Sequence, residues 1–174
     1  MRMGGTVPDG ALAERVGRLR DEALKSAIRP ARIWRRIALP FHPESRNLSK
    51  HLEGCHAAYL VCGTLGAGFD AMHRRVSVAS GTDALIVQAI GAAAIEKWMD
   101  SVEDEIRAEL GPGETLRPRY SPGYGDFPLS AQRELLLLLD TPRRIGVSLT
   151  ETLLMVPSKS VSAVVGVSAE RRIA

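Results

Sequence analysis

Cysteine is scarce in this sequence: Cys55 and Cys62 are the only two in 174 residues. They stand seven apart, forming neither a CxxC pair nor a metal-ligand spacing. A disulfide scaffold is excluded, and both thiols are expected to act as small buried hydrophobes in a reduced compartment. Aromatic residues are also few, at 5%, and no RNA-binding aromatic signature is present, which argues against a nucleic acid partner. No apolar run reaches the roughly 18 residues that a membrane span needs. Met1-Arg2-Met3-Gly4-Gly5 has no apolar segment after its one charge, so no secretory signal is expected. These absences point to a soluble cytoplasmic protein. Repeats, linkers and low-complexity segments are missing too, as are a Gly-x-Ser-x-Gly elbow, a Walker loop and HExxH. No catalytic set declares itself by spacing.

What is present is ordinary globular material: 45% apolar and 25% charged residues. The length suits one core, and a single domain over 1–174 is expected. The net charge of +3 is unevenly spread. Residues 1–50 hold eleven Lys and Arg against five Asp and Glu; residues 51–110 hold four against nine. The basic N-terminal third suits an acidic protein partner.

The periodicities predict an α+β fold. A helix is expected from Pro8 to Ile28, capped by Asp9 and stopped by Pro30. A strand follows over Arg32–Leu39, then a short helix over Asn47–Leu52 closed by Gly54. Ala57–Cys62 reads as a buried strand, and Phe69–Val78 as a helix. The clearest helix runs from about Thr82 to Leu110, with Ile95, Met99, Val102, Ile106 and Leu110 as its apolar stripe. Its acidic face reads as solvated; Glu96, bordering the stripe, is placed to point into a cleft. Thr115–Arg119 reads as a strand, and Ser121–Pro128 as a loop with Pro122-Gly123 central to a type II turn. Ser130 is the expected cap of a helix over Ala131–Leu139. A short turn or helix then runs from Pro142 to Gly146, and Leu149–Val156 fits strand or helix. The alternation of Val161, Ala163, Val165 and Val167 predicts a strand.

Three places invite chemistry. His51-x3-Cys55-His56 is a weak metal pattern, because no second ligand pair accompanies it; ordinary polar or core histidines are the plainer reading. Gly63-Thr64-Leu65-Gly66-Ala67-Gly68, between strand and helix, invites a nucleotide reading and hence an independent methyltransferase. Its spacing is not G-x-G-x-x-G, and close packing is the alternative. Arg119-Tyr120-Ser121-Pro122-Gly123-Tyr124-Gly125-Asp126 is the most unusual segment. An arginine fork on a fixed loop suits a carboxylate ligand; a surface turn with Arg119 in a salt bridge is the competing reading.

Arg119-x-x-Pro122-Gly123-Tyr124, followed by Leu149-Thr150-Glu151-Thr152-x-x-Met155-x-Pro157-x-x-Ser160-Val161-Ser162, resembles the activation domain of cobalamin-dependent methionine synthase. The resemblance spans roughly residues 80–168. Ser49-Lys50-His51-Leu52-x-Gly54-Cys55 and Thr64-Leu65-Gly66-x-Gly68 resemble stand-alone versions of that domain. The resemblance implies a mostly antiparallel twisted sheet packed with helices. It also implies an S-adenosylmethionine site in which Arg119 holds the methionine carboxylate and Tyr124 shapes the pocket. Tyr120 would add a backbone contact, and Glu96 a carboxylate for the ligand's cationic groups. The implied role is an accessory subunit that supports reductive methylation of cob(II)alamin. Its implied partners are a cobalamin-binding methionine synthase module and a flavodoxin-like electron donor. A scaffold that docks on a corrinoid protein without binding S-adenosylmethionine is the alternative. Stand-alone relatives often carry a cysteine-rich tail beyond the last strand, so the sequence is expected to be a piece that stops short of one.

Overall fold

The apolar stretch after Gly54 decides the architecture. In the computed structural model, which describes residues 10–169, it forms β2 (Cys55–Thr64), buried at every position from Ala57 onward. Successive side chains enter opposite faces, as the period of two in a strand requires. Ala57, Tyr59 and Val61 join one core, and Ala58, Leu60 and Cys62 another. A central strand covered on both faces has no polar side, which is why its sequence runs apolar instead of alternating.

β6 (Ser160–Ala169) lies antiparallel on one side of β2, pairing Tyr59 with Val165 and Val61 with Ala163. β1 (Ala31–Ala38) lies antiparallel on the other side, and β3 (Glu114–Leu116) borders β6. The order is β1-β2-β6-β3. α1 (Gly10–Glu22), the π turn Ala23–Ala27, α3 (Ala67–Ala79) and α4 (Gly81–Ala108) supply the first core with Leu19, Ala23, Phe69 and Met99. α2 (Arg46–His51) and α5 (Ala131–Leu139) supply the second with Leu48, Leu135 and Leu139. α6 (Thr141–Arg144) follows, and β4 (Ser148–Leu149) and β5 (Met155–Val156) form a small separate hairpin. Each large side chain fully buried in these cores contributes about 1.5–3 kcal/mol. The expected α+β class, an antiparallel sheet packed with helices, is the observed one.

Several boundaries differ from the sequence reading, each for a local reason. The expected N-cap Asp9 lies outside the described residues. The strand read over Ala57–Cys62 extends to Cys55 and Thr64, with a register shift between Cys55 and Ala57. The strand expected over Thr115–Arg119 stops at Leu116, because Pro118 has no N–H to give the ladder. Pairing resumes as a single bridge between Tyr120 and Val164. The segment read as strand or helix over Leu149–Val156 is a hairpin, closed by Thr150 N donating to Leu154 O at 2.9 Å. Ser130 caps nothing with its side chain: its backbone is already helical, and Ala131 N donates to Pro128 O. Cys62 is fully buried as expected, whereas Cys55 is half-buried.

The glycines of the Gly63–Gly68 turn serve packing. Gly66 adopts φ +88°, and a side chain there would lie 2.7 Å from the Arg29 carbonyl oxygen. Gly68 sits against the Ala27 carbonyl, and Gly63 against Met99. The Gly66 and Gly68 contacts seat the end of the π turn on the start of α3, and the Gly63 contact seats β2 on α4.

The basic N-terminal third closes on the chain's own acids. Arg32 donates twice to Glu105 on α4, at 2.9 and 2.6 Å. Arg15 pairs with Asp83, also on α4, and Arg36 with Glu114. Three arginines of the basic third are therefore matched by acids elsewhere in the molecule.

Candidate functional site

The site grows from the loop after β3. Ser121, Pro122, Gly123 and Tyr124 make the expected turn: Gly123 has φ +97°, and Tyr124 N donates to Ser121 O at 3.3 Å. Gly123 N then donates to Phe127 O at 2.8 Å, and Phe127 is buried in the second core. Gly125 has φ +56° and lies against Asn47, where no side chain fits. Asp126 latches the loop to α2: it accepts from Ser45 Oγ at 2.6 Å, Arg46 N at 2.9 Å and Asn47 N at 3.0 Å. The Ser45 hydroxyl, and next the backbone N–H of Asn47, hold its carboxyl below the usual aspartate range. Those two N–H groups are unpaired donors at the helix start, so a carboxylate satisfies them.

Tyr120 sits at the base of this loop. Its backbone exchanges two 2.9 Å hydrogen bonds with Val164, and its hydroxyl donates to Tyr124 O at 3.3 Å. Tyr124 itself is exposed, with its ring 6.3 Å from that of Tyr120.

Arg119 points across to α4. Its Nη1 donates to Glu103 at 2.8 Å; its Nη2 donates to Asp100 at 2.9 Å and to Glu96 at 3.0 Å. The three acids are spaced four and three residues apart, which stacks them on one helix face. Their environments differ. The Glu103 side chain is 11% exposed and also bonds Arg107 at 2.9 Å, whereas those of Glu96 and Asp100 are 63% and 68% exposed. Burial works against the charge on Arg119, but the carboxylates outweigh it and its pKa is raised.

Glu96, Arg119, Tyr120 and Tyr124, the four residues singled out from the sequence, thus line one open cleft of about 600 Å³. Asp100, Glu103 and Arg107 line it as well. The sequence reading missed these acids by treating the acidic face of α4 as solvated, and the structure corrects that for Glu103. The available signal was position: Glu103 adjoins Val102 of the apolar stripe and is seven residues from Glu96. The histidines do not converge. His51 donates through Nε2 to Pro118 O at 2.8 Å, since a carbonyl only accepts, while His56 bonds Glu114 at 2.7 Å.

Fold and cleft together define an α+β domain with an open cleft lined by three acids and three arginines, in which Arg119 bridges the acids. Residues 93–172 match the family model for the vitamin B12 dependent methionine synthase activation domain. A solved structure, the crystal structure of the MetH reactivation domain bound to AdoHcy, superposes with a TM-score of 0.64 at 16% identity. The match covers 99% of this chain and 72% of that chain. No curated protein matches the chain. Arg119, Tyr120, Tyr124 and Glu96 all fall inside the family-matched segment.

Proposed function

We propose that this chain is a stand-alone activation subunit: it binds S-adenosylmethionine in the Arg119 cleft and supports reductive methylation of cob(II)alamin on a cobalamin-dependent methionine synthase. The observation that carries the reading is the cleft itself. Within the family-matched segment, it sets the Arg119 guanidinium among three acids, with Arg107, Arg117 and an exposed tyrosine beside them. A methionine-type ligand presents a carboxylate, an ammonium and a sulfonium, and this charge pattern complements all three. The solved relative with AdoHcy bound supports the same ligand class.

The chain's part in the reaction is to bind and orient. Arg119 fixes the carboxylate end of the ligand, and Tyr124 borders the adenosyl group. The sulfonium methyl is thereby presented toward the partner's cobalamin module. Reduction of the cobalt centre takes one electron from an external, flavodoxin-like donor, and the methyl comes from the sulfonium. A cytoplasmic setting fits this role, and no described helix is long and apolar enough to cross a membrane.

A second reading draws on the occupied state of Arg119. With both its Nη atoms engaged by carboxylates, the cleft also suits a scaffold that docks on a corrinoid protein without the ligand. Isothermal calorimetry with S-adenosylmethionine separates the two. The first reading expects heat with the native chain and with Arg143→Ala, an exposed arginine outside the cleft, and none with Arg119→Ala. Absence of heat with the native chain overturns it in favour of the scaffold.

A further inference from the structure

The two outer nitrogens of Arg119 face very different acids. Nη1 meets Glu103, which is nearly buried and itself held by Arg107. Nη2 meets Glu96 and Asp100, both of which extend into solvent. Long exposed carboxylates hold a partner weakly, because the ion pair trades against side-chain entropy and water. A buried carboxylate cannot leave its partner without a large desolvation cost. One arginine is thus gripped firmly at one end and loosely at the other.

We propose that Nη1 is a permanent anchor and Nη2 an exchangeable port, and that the exposed pair Glu96 and Asp100 selects S-adenosylmethionine over its demethylated product. Glu103 is then a positioning residue: it aims the guanidinium and never touches the ligand. This rests on the proposed S-adenosylmethionine site. On binding, the ligand carboxylate takes Nη2, and the released Glu96 and Asp100 receive the ligand's cationic groups. Each broken ion pair is replaced by another, so no charge is left unpaired.

Charge then decides between ligands. Glu96, Asp100 and Glu103 line the cleft against Arg107, Arg117 and Arg119, so its formal charges balance; once the ligand carboxylate has taken Nη2, Glu96 and Asp100 are the two carboxylates left facing the ligand. S-adenosylmethionine brings carboxylate, ammonium and sulfonium, for a net of +1. S-adenosylhomocysteine has no sulfonium and is neutral. The methyl donor's two cationic groups match the two released carboxylates, whereas the product's single ammonium leaves one of them without a partner, so the methyl donor is favoured and the product is released once the methyl has gone.

Calorimetry with each ligand at low and high salt tests this, with thermal melts confirming that every variant is folded. The native chain is expected to bind S-adenosylmethionine about two- to fivefold more tightly than S-adenosylhomocysteine at low salt. High salt narrows the gap. The double substitution Glu96→Gln with Asp100→Asn removes the preference. Glu103→Gln weakens both ligands by a similar factor and leaves their ratio unchanged, which a change in the exposed pair would not do. Arg119→Lys gives a second route: it keeps the charge but has one nitrogen, so it cannot hold Glu103 and a ligand together, and binding is lost. Equal affinity of the native chain for the two ligands overturns the inference while leaving the binding site intact. Full affinity in folded Glu103→Gln also overturns it. No binding of either ligand to the native chain overturns the proposed function, and the inference with it.

Discussion

Single side chains divide into those that build the site and those the fold has put out of reach. Asp126 builds it. Its three hydrogen bonds tie the Tyr124 loop to the start of α2, and its depressed pKa shows that they favour the charged form. Replacing it with asparagine leaves an acceptor oxygen but removes that charge. Asp126→Asn is expected to lower the melting temperature at neutral pH and to weaken S-adenosylmethionine binding, measured by thermal melts and calorimetry. An unchanged affinity would mean that the loop holds its shape without the latch. Cys62 is out of reach. It is fully buried, and burial pushes its thiol up to about 12. Thiol titration of the native protein at pH 8 is therefore expected to leave Cys62 unmodified, and denaturant is expected to expose it. Rapid labelling of Cys62 without denaturant would contradict the two-core description of β2.

The contact of α3 with α4 depends on one missing side chain. Gly91 lies in the middle of α4, directly against the buried Phe69 ring and near Lys159. In an isolated helix, alanine would be better than glycine by about 1 kcal/mol. Here the added carbon overlaps a ring that has no room to move, and overpacking costs about 1–3 kcal/mol. Gly91→Ala is expected to destabilise the protein in urea unfolding; stabilisation would show that the two helices can separate cheaply. Gly91 to Ala94, all small, make room for this contact. The sequence pointed to α4, β6 and the Gly123 turn, where periodicity or turn chemistry is local and strong. Less legible were the features set by distant partners. Whether Thr115–Arg119 pairs along its whole length depends on Pro118 meeting β6, and the β4–β5 hairpin is too short for a pattern. In the site, Arg119, Tyr120 and Tyr124 were legible because one motif holds them. Glu103 was not, because its burial comes from an arginine sixteen residues away in sequence.

For the whole molecule, the distribution of charge matters more than its total. Arginines of the basic N-terminal third pair with Asp83, Glu105 and Glu114, so part of the stability depends on carboxylates staying ionised. Glu114 is the clearest case. Arg36, the Gly111 N–H and His56 together pull its carboxyl down to about 2. Asp83, bonded to Arg15, and Asp126 are lowered as well. Each has a folded pKa below its unfolded one, so each contributes stability that is complete above the unfolded value and lost as pH falls through the folded one. Glutamate in an unfolded chain titrates at about 4.3, which puts the Glu114 contribution at risk between there and about 2. Melting temperature followed by circular dichroism is therefore expected to be flat near neutrality and to drop below about pH 4. Glu114→Gln is expected to melt lower than the native chain at pH 7 and to approach it at pH 2, because acid removes the same interaction from the native chain. Parallel curves for the two proteins across that range would show that Glu114 contributes no acid-sensitive stability. High salt offers an independent check. It weakens the exposed pairs, such as Arg32 with Glu105, more than the partly shielded Glu114, so the acid-sensitive difference is expected to survive it.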